Sequence, residues 1–274
     1  MNRRRIVNLA CGFVLSLLLA VGCNQTTPQS TEPQQTTSPV SSAEQTELII
    51  SAAASLTDAL NAIQPLYQQE NPKVKLTYNF GPSGSLQQQI EQGAPVDVFI
   101  SAAPKQINEL QEKGLLLDET RKDLLKNEMV LIIPKGESTI QRFEDLTADT
   151  VTKIAVGEPE SVPAGKYAQE VLTSLNIFET IQPKQVYAKD VRQLLSYVET
   201  GNVDAGITFS SNAKFSEKVE IVATAPPESH SPIIYPIAVV KNSKNPEAAK
   251  EFLSFLSSNT AKSLFERYGF GLAN

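Results

Sequence analysis

Four short segments of the 274-residue chain place small or hydroxyl residues where a β-branched run gives way to a helical pattern. They are Ala53-Ala54-Ser55, Gly81-Pro82-Ser83-Gly84-Ser85, Val162-Pro163-Ala164-Gly165 and Asp190-Val191. A helix start presents backbone N–H groups without an intrahelical partner and a partial positive charge, so it attracts an anion without arginine or lysine. Each such end is worth about 0.3–1 kcal/mol when exposed and up to ~2 kcal/mol when partly buried. Four converging ends, with the hydroxyls of Ser55 and Ser83 as further donors, are equipped to hold an oxyanion in an acidic protein. Gly84 and Gly165 leave room for the backbone to approach it.

Taken singly, each segment has a plainer reading. Ser55 is an ordinary N-cap, the Gly81–Ser85 loop a turn, Pro163 the first residue of a helix and Val191 a core residue. Asp190 reads as a cap, and its carboxylate would repel an anion if it faced the same space. Ser101, ahead of Pro104, is a weaker fifth candidate. Other chemistry lacks its parts. The chain has two cysteines, Cys11 and Cys23, and a single histidine, His230. Metal clusters and Ser/His/Asp or Cys/His constellations need more than that, so neither a bare metal cation nor a cofactor is expected. His230 stands far along the chain from either serine and reads as an exposed hinge residue. With 24 Lys and Arg against 30 Asp and Glu, and no basic block after the first five residues, nucleic acid is not an expected partner.

Positioning these starts requires strands and helices in alternation. From Leu48 onward β-branched runs and amphipathic segments do alternate, which predicts an α/β fold with largely parallel strands. A strand opens at Leu48. Leu56, Ala59, Leu60, Ile63, Leu66 and Tyr67 then recur at helical spacing, behind Ser55 as N-cap and with Asp58 placed as in a capping box. A strand over 74–80, a helix over 86–92, a strand over 96–100 and a helix opening at Pro104 complete one wound unit. After a strand over 129–134, a second unit follows: strand 153–156, a helix from Pro163, strand 185–187, a helix with Val191, Leu194, Leu195 and Val198 on one face, and strand 205–209. A returning strand over 233–240 contains Tyr235-Pro236, read as a bend. Helices over 247–256 and 261–268 close the chain. Tyr67, Tyr167 and Tyr197 read as packing residues. The order predicts that residues 47–128 and 229–274 form one lobe and 129–228 a second, joined by two crossings that make a hinge. Ligands in open α/β architectures lie outside the carboxyl ends of such strands.

The first 22 residues read as a secretory leader, with Arg3, Arg4 and Arg5 ahead of an apolar stretch from Ile6 to Val21. Ala20-Val21-Gly22 before Cys23 resembles the lipobox of bacterial lipoproteins, although Ala20 sits where leucine is commoner. That resemblance implies a lipid thioether on Cys23; a soluble secreted protein cut nearby, or an uncleaved anchor, are the alternatives. Residues 24–46 are mostly Gln, Thr, Ser and Pro with only Val40 and Ala43 apolar, too little to offset chain entropy, and read as a flexible tether. Cys11 leaves with a cleaved leader, so the body has no disulfide. The expected location is the periplasm or the cell surface.

Five segments, ISAAASLTDAL (50–60), FGPSGSLQQQIEQGAPVDVFISA (80–102), VGEPESVPAGKYAQEVL (156–172), AKDVRQLLSYVETGNVDAGITF (188–209) and ESHSPIIYPIAVV (228–240), together resemble the periplasmic molybdate-binding proteins of ABC transporters. The likeness runs in order from about Leu48 to the end. It implies a type II periplasmic-binding fold of two hinged lobes, each a wound, mostly parallel sheet flanked by helices. It further implies that Ser55, Ser83, Ala164, Val191 and Phe209 hold the oxyanion. One position departs from the pattern, because Phe209 stands where the family has a tyrosine and carries no hydroxyl. A hydrogen bond to a charged group is worth about 1.5–3 kcal/mol. Ser210, Ser211 or a water fills the gap, or the site prefers another anion.

The expected function is therefore that of a lipid-anchored, monomeric binding protein, not an enzyme, that captures molybdate or tungstate between two lobes and delivers it to a cognate ABC permease. One alternative keeps the fold and changes the ligand to sulfate, phosphate or a small organic anion. Another is a hydrolase with Ser55 or Ser83 as nucleophile, for which a base is missing. A periplasmic sensor would need a transmembrane helix and an output segment that the chain does not show.

Overall fold

The computed structural model describes residues 45–137 and 139–273. The leader, Cys23 and nearly all of the tether lie outside the described residues. The elements, in order, are β1 (Thr46–Ala53), α1 (Thr57–Glu70), β2 (Val74–Gly81), α2 (Ser83–Glu91), β3 (Val98–Ile100), α3 (Pro104–Glu112), β4 (Lys122–Lys126) and β5 (Met129–Pro134). There follow β6 (Ile154–Gly157), α4 (Pro163–Ser174), α5 (Phe178–Ile181), β7 (Gln185–Ala188), α6 (Val191–Glu199), β8 (Ala205–Phe209) and α7 (Ser210–Ala213). The chain ends with β9 (Val219–Thr224), β10 (Ile234–Val239), α8 (Pro246–Leu256), α9 (Asn259–Arg267) and β11 (Gly271–Leu272).

The strands form two sheets, six-stranded in the order β11-β4-β10-β3-β1-β2 and five-stranded in the order β7-β6-β8-β5-β9. Both are wound alike. The first strand of each unit, β1 or β6, is flanked by the next strand, β2 or β7, on one side and by the third, β3 or β8, on the other, all parallel. The α/β class with two helix-flanked sheets is the one expected, but the sheets are mixed and not mostly parallel. Pairings of β10 with β3 and β4, of β11 with β4, and of β5 with β8 and β9 are all antiparallel. The reason is the connectivity: β10 and β5 each arrive from the other sheet rather than through a helical crossover within their own, and each runs against the wound parallel strand beside it, β3 or β8.

Burial explains the wording of the strands. Leu48, Ile50 and Ala52 of β1, and Val98, Phe99 and Ile100 of β3, are fully or almost fully buried. Both faces of these central strands are covered, so their sequences are continuous apolar runs. Three strands had no such signature. β4 reads Lys-Asp-Leu-Leu-Lys, β9 lies at an edge with Glu220 and Ile221 exposed, and β11 is two residues long. β1 also starts two residues before the apolar run, at Thr46, whose amide donates to the Lys73 carbonyl at 2.9 Å. The core is continuous between the sheets: Phe209 of β8 packs edge-on to Tyr235 of β10, ring centres 5.8 Å apart, and Tyr235 to Phe270 at 5.5 Å. Tyr67 and Tyr167 are buried packing residues, as read from the sequence, whereas Tyr197 is only partly buried. The chain crosses between sheets twice, from β4 to β5 through Asn127 and Glu128, and from β9 to β10.

Candidate functional site

The starts of α1, α2, α4 and α6 all follow carboxyl ends of wound strands, and the connectivity of the two sheets turns them toward one small cavity. Its wall includes Ser55, Ser83, Pro163, Asp190, Val191 and Phe209, and its volume is about 10 Å³. Pockets for drug-sized ligands span roughly 300–1,000 Å³, so this space admits nothing larger than a small ion. The wall contains no lysine or arginine. Two contacts join the segments around it. The Gly84 amide donates to the Ser161 carbonyl at 3.0 Å, and Arg192 Nη1 lies 3.1 Å from Asp58 Oδ2.

Ser55 is not an N-cap. It sits inside a short 3₁₀ turn, Ala54–Leu56, and α1 begins behind Leu56 without a side-chain cap. Its Oγ instead lies 2.9 Å from the hydroxyl of Tyr235, a partner 180 positions along the chain. Asp58, read as part of a capping box, is the ion-pair partner of Arg192. The turn closes through Thr57, whose hydroxyl donates to the Ala54 carbonyl at 2.7 Å, so Ser55 is spared for the long-range bond.

Ser83 opens α2 and is fully buried. Its Oγ accepts a hydrogen bond from the Ala102 amide at 3.0 Å. Val191 is the first residue of α6, behind Asp190, whose carboxylate accepts from the Gln193 amide at 2.8 Å. Asp190 is therefore a cap, and the helix amide draws its charge toward its own backbone. Ala164, the second residue of α4, is fully buried but does not line the cavity; its neighbours Val162 and Pro163 do. A Cβ at Gly165 would collide with the Gly157 carbonyl, so the α4 start lies hard against the end of β6 only because residue 165 is glycine.

Phe209 ends β8 in the cavity wall, with Tyr167 and Tyr235 edge-on at 6.2 and 5.8 Å. It contributes a ring and no donor. Ser101 turns away from the wall, its hydroxyl donating to the Ala103 carbonyl at 2.7 Å. His230 is half-buried rather than exposed, edge-on to Tyr167, with Nδ1 2.8 Å from the Ser231 carbonyl. Among the described residues no group of three or more His, Cys, Asp or Glu side chains is placed to hold a metal ion.

Two residues at the site escaped the reading of the sequence. Tyr235 reads in the sequence only as part of a bend, and the β10–β4 register does shift between Tyr235 and Pro236; it is also fully buried, and burial raises its phenol well above the ordinary range, so it stays protonated. Asn127, on the first crossing, donates from Nδ2 to the Tyr235 hydroxyl at 3.1 Å and to the Ser211 hydroxyl at 2.8 Å. The available signal was chemical: a tyrosine in an otherwise aliphatic strand must find its hydroxyl a partner.

Comparison with known proteins bears on this arrangement directly. The model of the bacterial extracellular solute-binding proteins matches residues 48–271, the whole of both sheets but for two residues of β1 and the last residue of β11. The chain belongs to that family. Among its curated relatives, YvgL of Bacillus subtilis (strain 168), provisionally named an ABC transporter substrate-binding lipoprotein, is 44% identical over 256 residues, 93% of this chain and 94% of its own. The molybdate-binding protein ModA of Haemophilus influenzae is 39% identical over 228 residues, 82% of this chain and 89% of its own. A solved substrate-binding domain of a provisionally assigned molybdenum ABC transporter from Clostridium difficile is 50% identical, with a TM-score of 0.67, covering 84% of this chain and all of that one. The resemblance drawn from the five segments thus holds, and this solute-binding protein stands with the ModA-type members. Its family is extracellular, and among the described residues no helix is long and apolar enough to cross a membrane.

Proposed function

We propose that this solute-binding protein captures molybdate or tungstate in the cavity between its two sheets and delivers it to the permease of an ABC transporter. The observation that carries the reading is the polarity of the cavity. Two buried serine hydroxyls and several helix starts converge on a small space with no cationic side chain in its wall, and the one carboxylate there, Asp190, is tied down by the Gln193 amide of its own helix, an arrangement that suits an anion with several acceptor oxygens and no proton to give. In this reading Ser55 and Ser83 donate hydroxyls, the starts of α4 and α6 donate amides, and Phe209 shapes the wall. Size and donor geometry select against the smaller sulfate, and protonated phosphate brings a donor that such a site cannot accept.

Phe209 supports a second reading, the same capture with sulfate or phosphate as ligand, since a ring without a hydroxyl leaves one position of the shell unfilled. Hydrolysis is disfavoured by the serines' partners, a tyrosine hydroxyl and a backbone amide, neither of which takes up a proton as a base. The protein acts as a monomer, two lobes closing about the hinge, anchored by a lipid on Cys23 to a bacterial membrane and carried on the tether of residues 24–46.

Thermal unfolding of residues 47–274 with molybdate, tungstate, sulfate and phosphate at equal concentration tests the ligand. A ligand at 100 times its Kd stabilises by about 2.7 kcal/mol. A rise in melting temperature with molybdate and tungstate alone is the expected result; a rise with sulfate or phosphate alone transfers the site to the second reading. Lipid labelling of the full chain that survives Cys23→Ser would remove the anchor.

A further inference from the structure

The two serines of the cavity differ in what fixes their protons. Ser83 accepts from a backbone amide that cannot turn, whereas Ser55 meets a second hydroxyl, Tyr235, at 2.9 Å, and a pair of hydroxyls can donate in either direction. The direction is set one step further back. Asn127 Oδ1 accepts the Glu128 amide at 2.9 Å and faces the Ser211 amide at 3.4 Å, so the side-chain amide is oriented with Nδ2 toward the two hydroxyls of Tyr235 and Ser211. Tyr235 Oη therefore receives an N–H at 3.1 Å. Its own proton has one other partner among the described residues, Ser55 Oγ. The reverse arrangement would leave a fully buried O–H unpaired, which costs about 1–3 kcal/mol.

We infer that Tyr235, oriented by Asn127, is a positioning and specificity-determining residue: the relay from Asn127 to Tyr235 to Ser55 fills one lone pair of Ser55 and commits its proton to the cavity. The inference rests on the oxyanion reading above and deepens it. Each serine then has one lone pair filled from behind, Ser83 by the Ala102 amide and Ser55 by the Tyr235 hydroxyl, and its own proton left for the cavity. An anion that offers only acceptors is served by both protons, while one that carries a proton must also place it against the single lone pair that remains on each hydroxyl. The relay spans the molecule, with Asn127 on one crossing, Tyr235 on the strand that follows the other, and Ser211 at the start of α7 beside the second sheet.

Tyr235→Phe keeps the ring, its contacts with Phe209 and Phe270 and the volume of the core, and deletes only the hydroxyl. Ser55 then has both lone pairs open and nothing behind it that fixes the direction of its proton. Binding of labelled molybdate, and its displacement by sulfate and by phosphate near pH 7, gives three dissociation constants for each protein. The expected result is that molybdate and sulfate, which carry no proton, weaken together at least fivefold, while phosphate is unchanged or tighter. Selectivity against phosphate then falls by the same factor or more. Asn127→Ala, which leaves Tyr235 in place but removes the N–H that orients it, shifts the three constants in the same sense and carries the test if Tyr235→Phe does not fold. Equal weakening of all three anions would make Tyr235 a structural residue only and overturn the relay, as would three unchanged constants. A wild-type protein that binds none of the three overturns the oxyanion reading itself, and the relay with it.

Discussion

The Gly84 amide reaches the Ser161 carbonyl at 3.0 Å, joining the start of α2 in the first sheet's layer to the loop that precedes α4 in the second. A Cβ built on Gly84 would stand 2.9 Å from Ser161 Cα and 3.0 Å from its carbonyl oxygen, both backbone atoms that cannot swing aside. Residue 84 is thus glycine because the other side of the cleft closes onto it. Gly84→Ala is expected to weaken molybdate binding at least tenfold by disfavouring the closed form, and to leave the melting temperature of the empty protein unchanged within a few degrees. Calorimetric titration and a thermal melt check the two halves separately.

Loss of either serine hydroxyl removes a bond to the anion, worth about 1.5–3 kcal/mol for a charged partner, hence roughly ten- to hundredfold in affinity. Ser55→Ala and Ser83→Ala are each expected to weaken molybdate at least tenfold in equilibrium binding while the chain still folds. Retained affinity in either variant would take that serine out of the site.

Phe209→Tyr restores a donor at the cavity wall. Its ring already lies between those of Tyr167 and Tyr235, so the added hydroxyl is the only new atom to place. Tighter molybdate binding is expected, by up to about tenfold if the bond forms with good geometry. An unchanged or lower affinity in the same titration would mean that the hydroxyl cannot reach the anion.

Away from the cavity, the Asp204 carboxylate gathers the Thr152 amide at 2.7 Å, the Lys153 amide at 2.9 Å and the Thr152 hydroxyl at 3.0 Å. Burial by itself would raise its pKa, but the two backbone amides and the hydroxyl outweigh it and hold the carboxyl below its ordinary value. A pKa lowered by folding contributes stability above the unfolded value, and that contribution is lost as pH falls through the folded value. Asp204→Asn is therefore expected to be less stable than the parent at pH 7, with the gap closing in acid. Urea unfolding at both pH values measures it.

Local features of this protein were legible and distant ones were not. Ser83, Pro163 and Val191 could be placed at helix starts because glycine, proline and the small residues beside them punctuate the chain within a few positions. The role of Ser55 was read as a cap because a capping serine and one bonded across 180 positions look alike in sequence. Ala164 matched a motif yet stands behind the wall, since a motif does not report which of its residues faces the cavity. Asn127 offered no pattern at all: its partners, Tyr235 and Ser211, are 108 and 84 positions away. β4 and β9 were missed for a related reason, because a strand with exposed or charged positions gains its identity from its neighbours in the sheet.

A cavity wall without a lysine or arginine leaves the charge of a captured ion unneutralised. On loading, the protein takes up the whole of a dianion's charge with no cationic side chain in the wall to offset it, so the filled and empty forms differ by two units on a chain that is already acidic. Cargo then doubles as an electrical label. Loaded molecules should run ahead of empty ones in a native gel at neutral pH, and a permease facing the two forms meets a difference in field as well as a difference in shape.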